Sequence, residues 1–142
     1  MQVQPIQVDG QKSFGGKDFP LCLSPTEPNL TVDDFISQLV ANRTELDNML
    51  REYKAIYFRG FPVTNAQDFD RVVEATGLHD MPYLGGAAVR TQVTPRVFTA
   101  NESPSSEKIP FHHEMAQVPQ PPTHLFFYCE IPCDTGGEVS CA

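Results

Sequence analysis

Hydrophobic positions fall at Val32, Phe35, Ile36, Leu39 and Val40, a three-and-four spacing that lines one face of a helix. Thr31 supplies a hydroxyl cap just ahead of them, and Asp33 and Asp34 place acids near the positive end of the helix dipole. The pattern resets around Asn42 and Thr44. Leu46, Met49, Leu50 and Tyr53 then form a second set, which predicts two short helices or one broken helix. Residues 55–59 are β-branched and aromatic and close at Gly60, the profile of a strand. Helical spacing returns over residues 65–76 through Phe69, Val72, Val73 and Ala75, and Gly77 stops it in the usual place. The stretch 31–77 is therefore read as helix, strand, helix.

The flanks are different. Gly15, Gly16, Pro20, Pro25 and Pro28 interrupt residues 1–30, which are expected to be irregular or short-stranded, with residues 19–23 as one short edge strand. Beyond Gly77, strand-like runs over 87–93 and 96–99 precede a polar, Pro- and Ser-rich loop over 101–108. Residues 123–129 are apolar throughout, which predicts a strand buried on both faces. The whole reads as one domain over 1–142: a lead-in at 1–30, the helix-strand-helix unit at 31–77, and a β-rich part at 78–142.

Composition narrows the partners. Eighteen acids against ten bases give a net charge of −8, which disfavours a nucleic-acid backbone as a ligand. No secretory leader pattern is present, and no run approaches the roughly 18 apolar residues of a membrane span. A cytoplasmic location with free thiols is expected for Cys22, Cys129, Cys133 and Cys141. Cys129, Cys133 and Cys141 with a histidine could instead staple a zinc-bound module, the weaker reading because Cys129 lies within the apolar run.

The chemistry is concentrated in residues 109–115. His112 and Glu114 are two positions apart, so on an extended strand both side chains would point to one face. That would supply two-thirds of a 2-His-1-carboxylate facial triad for iron(II). Alone, such a pair is more often a surface or hydrogen-bonded combination than a ligand set. Its surroundings change the balance: Ala100-Asn-Glu102, Pro110-Phe-His-His-Glu-Met-Ala-Gln117, Pro122, the apolar run 125–129 and Gly136-Gly-Glu138 occur in order. In this the sequence resembles the TauD/TfdA family of taurine-dioxygenase-like oxygenases, closest to its plant clavaminate-synthase-like members.

The resemblance implies an α+β chain: part of a double-stranded β-helix, or jelly-roll, with flanking N-terminal helices. It also implies His112 and Glu114 as iron(II) ligands, 2-oxoglutarate as cosubstrate, and O2-dependent oxidation of a C–H bond in a small molecule. Two departures stand beside it. The family's threonine that bonds the cosubstrate carboxylate is Val139 here, and the distal histidine and arginine of the family lie downstream of the Gly136-Gly-Glu138 turn. This sequence is accordingly expected to be a C-terminally truncated form, inactive or incomplete on its own. The alternative is a non-catalytic homologue that acts through a partner. Arg59, Arg90 and Arg96 could reach an anionic substrate, but arginines beside strands are more often solvated or paired structural groups. Substrate identity and oligomeric state are not written in the sequence.

Overall fold

The computed structural model describes residues 1–83, 89–100, 104, 106, 108–132 and 134. The lead-in carries four short strands: β1 (Val3–Pro5), β2 (Lys12–Phe14), β3 (Lys17–Phe19) and β4 (Leu21–Pro25). Helices α1 (Val32–Ala41) and α2 (Arg43–Tyr53) follow, then β5 (Ile56–Phe58) and α3 (Ala66–Ala75). β2 and β3 form an antiparallel hairpin across Gly15 and Gly16. Both glycines have positive φ (59° and 79°), which a two-residue turn of this twist requires.

The second sheet has the order β1-β4-β5. β4 runs antiparallel to β1 and parallel to β5, with Leu23 opposite both Pro5 and Phe58. The expectation of an edge strand near residues 19–23 is thus corrected. β4 is central, and with a neighbour on each side its Cys22 and Leu23 are fully buried.

The helices form where the pattern places them. Thr31 closes a capping box: its hydroxyl accepts from the Asp34 backbone N–H, and the Asp34 carboxylate accepts from the Thr31 N–H. A break at Asn42 separates α1 from α2. Asn65 caps α3, accepting from the Asp68 N–H at 2.8 Å. Gly77 ends that helix at φ +74°, and a Cβ there would meet the Arg43 guanidinium carbon at 2.8 Å. Arg43 Nε donates to the Ala75 carbonyl at 2.8 Å, so a cation sits on the C-terminal end of α3.

Phe35, Leu39 and Ala75 are the buried centre of the core joining α1 to α3, with Phe58, Phe61 and Val72 packed against it. Phe35 lies 4.4 Å from Phe61 and 5.9 Å from Phe58 between ring centroids. Such aromatic pairs add about 0.5–1.5 kcal/mol beyond area burial. An ion pair between Arg71 and Asp33 closes the same helix pair on the outside.

Residues 91–99 double back on themselves through a bridge between Gln92 and Phe98. Arg96 pins this hairpin to α3, pairing with Asp70 (3.1 Å) and Glu74 (2.7 Å), and also pairs with Asp80 (3.1 Å) just beyond that helix. Asp70 also accepts from Thr94 Oγ1 at 2.7 Å and the Arg96 N–H at 2.9 Å. Burial pushes the Asp70 pKa up, but these donors and the guanidinium outweigh it and hold the carboxyl below its ordinary value.

Residues 123–129 depart from expectation. They form no strand, and Phe127 is 76% exposed. Tyr128 stacks on Phe69 at 5.4 Å, but among the described residues no strand lies alongside to take up the backbone hydrogen bonds. An apolar run encodes burial only where a partner surface exists.

Candidate metal centre

Residues 108–113 form no helix or strand, and a turn spans residues 114–117. Its cause is local: Met115 is buried and takes a left-handed φ of +54°, and the Val118 N–H returns to the Met115 carbonyl at 3.1 Å. The extended strand expected to align His112 with Glu114 is therefore absent, and strand alternation does not set their orientation.

Each side chain is held by something else. His112 is exposed, and its Nδ1 lies 2.8 Å from the Pro110 carbonyl oxygen. A carbonyl can only accept, so that contact places a proton on Nδ1; in the neutral ring the lone pair is then on Nε2. The Glu114 carboxylate is largely buried and pairs through Oε1 with Arg90 Nη2 at 3.1 Å. Arg90 Nη1 donates in turn to the carbonyls of Thr99 (3.0 Å) and Ala100. The Arg90 guanidinium also lies over the Tyr83 ring, 4.9 Å from its centroid. Burial pulls the Arg90 pKa down, but Tyr83 and the Glu114 carboxylate more than compensate and raise it. Arg90 Nε is buried and, among the described residues, has no hydrogen-bond partner.

The arginines fall within the solvated-or-paired expectation: Arg90 pairs with Glu114 and Arg96 with Asp70, while exposed Arg59 donates to the Tyr57 hydroxyl at 3.0 Å. The specific link from Arg90 to Glu114 spans 24 residues, and nothing local in the sequence announces it. Among the described residues, no three His, Cys, Asp or Glu side chains gather closely enough to hold a metal ion. Cys22 is a buried free thiol whose pKa burial raises, and Cys129 is exposed and free. Val139, Cys133 and Cys141 lie outside the described residues.

The sequence matches the family described as taurine catabolism dioxygenase TauD, TfdA family, over residues 17–140. The chain belongs to the TauD/TfdA family. A clavaminate synthase-like protein of Arabidopsis thaliana is 52% identical over 134 residues, covering 91% of this chain and 41% of that protein. The dapdiamide synthesis protein DdaC of Enterobacter agglomerans is 28% identical over 112 residues, covering 79% of this chain and 32% of its own. The chain therefore spans less than half the length of these curated relatives.

TauD/TfdA membership makes the chain an oxygenase-superfamily member, in a family that generally uses iron(II) and 2-oxoglutarate on small molecules. The family implies a jelly-roll-type fold, of which the described residues show a three-stranded sheet, a two-stranded hairpin and their helices. The donors present fit that metal in kind. An imidazole with its Nδ1–H tied to a backbone carbonyl and a carboxylate hydrogen-bonded from outside are the usual supported forms of metal ligands. No described helix is long and apolar enough to cross a membrane.

Proposed function

We propose that this chain provides two metal ligands, His112 Nε2 and the Glu114 carboxylate, to an iron(II)- and 2-oxoglutarate-dependent oxygenase that oxidises a C–H bond of a small molecule. The observation that carries the reading is the contact of His112 Nδ1 with the Pro110 carbonyl. It commits Nδ1 as the donor and leaves Nε2 as the nitrogen for a metal, two residues from a largely buried carboxylate. When bound, iron(II) supplies the site at which O2 and 2-oxoglutarate react and a substrate C–H is oxidised. The residues on this chain do the holding. Pro110 fixes the imidazole, and Arg90 orients the Glu114 carboxylate. A third ligand and a cation for the far carboxylate of 2-oxoglutarate are expected from the portion of the fold that the longer relatives possess.

The exposed residues Leu125, Phe127 and Ile131 favour a second reading, a non-catalytic homologue covered by a partner protein. Metal uptake separates the two. Anaerobic addition of iron(II) and then 2-oxoglutarate should produce a visible charge-transfer band that His112→Ala and Glu114→Ala each abolish. Normal binding by both variants would remove the ligand assignment and leave the partner reading.

A further inference from the structure

We infer that Arg90 is the positioning residue that aims the Glu114 carboxylate, in the role that strand pairing would otherwise play. This inference rests on the reading of Glu114 as a ligand. Three observations carry it. The backbone around Glu114 is a turn with a left-handed residue immediately after it, so no ladder of hydrogen bonds fixes its direction. The contact that does fix the carboxylate is the Arg90 guanidinium, on Oε1 at 3.1 Å. That guanidinium is itself immobilised, held by the Thr99 and Ala100 carbonyls and by the Tyr83 ring face.

The chemistry favours arginine for this task. A planar fork can bond two backbone carbonyls and a carboxylate at once while stacking on an aromatic ring, which a lysine ammonium cannot reproduce. Both partners are largely shielded, with 16% and 19% of their side-chain surfaces exposed, so solvent screens the pair only weakly. Arg90 engages one oxygen of Glu114, Oε1, and among the described residues the other is the oxygen turned to a metal in this reading. Tyr83, the 91–99 hairpin and the His112-Glu114 connector meet at this one side chain. Arg90 therefore transmits the position of the hairpin, itself pinned to α3 by Arg96, to the ligand.

Mn(II) binding to the full chain, followed by loss of the free-ion electron paramagnetic resonance signal, tests this apart from turnover. Arg90→Ala should weaken Mn(II) binding about 10- to 100-fold, the usual cost of losing an outer-shell partner. Arg90→Lys should weaken it severalfold and less than alanine does. The double variant R90A/E114A should bind no more weakly than Glu114→Ala alone, since Arg90 acts through that carboxylate. Wild-type affinity in Arg90→Ala or Arg90→Lys, with Glu114→Ala impaired, overturns the positioning role and leaves the ligand assignment standing. So does an additive loss in the double variant, or tighter binding without Arg90, which would make the arginine a competitor of the metal. Wild-type affinity in Glu114→Ala instead sinks the ligand reading, and this inference with it. If Arg90→Ala does not fold by circular dichroism, the Arg90→Lys comparison decides alone.

Discussion

The unit over residues 31–77 and the segment over 123–131 are both rich in large apolar side chains, yet they meet opposite fates. Phe35 is 2% exposed and Leu39 4%, whereas Phe127 is 76% exposed and Ile131 83%. The difference lies in the supply of partners rather than in hydrophobicity. α1 finds α3, Phe58 and Phe61 within fifty residues of sequence, so its apolar face is covered by neighbours it reaches through short loops. The 125–131 run has Tyr128 on Phe69 and little else among the described residues. Amphipathic periodicity carries its own instructions, because it marks which face is to be covered. A continuous apolar run states only that a cover is needed.

Substitution should expose this contrast directly. Phe35→Ala is expected to cost about 3–5 kcal/mol in urea unfolding, a truncation at the centre of a packed aromatic group. Phe127→Ala should change stability by less than about 0.5 kcal/mol, as for a surface site. Equal losses from the two would erase the distinction between the regions.

A smaller effect is expected at the joint between them. Asp70→Asn weakens the anchoring of the 91–99 hairpin to α3 and should cost about 2 kcal/mol, below the range for a fully buried pair because Arg96 is partly exposed. The Asp70 carboxyl is held below its unfolded value of about 3.9, so its contribution is present above that pH and lost as pH falls toward the folded value. Stability measured from pH 5 downward should fall less steeply in Asp70→Asn than in the parent chain. Smaller again, Thr31→Ala should remove about 1 kcal/mol by opening the capping box, read as a shift in the urea midpoint with an unchanged slope.

Much of the first half was legible from sequence because its determinants are local. Thr31 and Asp34 are three residues apart, the α1 stripe is periodic, and Gly77 marks the end of α3. The central position of β4 was not legible, since membership of a sheet interior depends on β1 and β5 arriving from opposite directions in sequence. The site divides in the same way. His112 and Glu114 could be proposed as ligands from their spacing and neighbours, but the strand geometry invoked to align them gave way to a turn at Met115. Arg90 could be suspected of pairing, but its partner could not be named, because a contact spanning 24 residues leaves no local mark.

Cys22 gives the sheet a built-in clock. Its thiol lies on the central strand with no accessible surface, and burial further suppresses the thiolate that an alkylating reagent requires. Reaction at that sulfur must wait for the β1-β4-β5 sheet to part, so the rate of labelling measures how often it opens under native conditions. Read apart from the exposed Cys129, the Cys22 sulfur is a native reporter of the breathing of that layer.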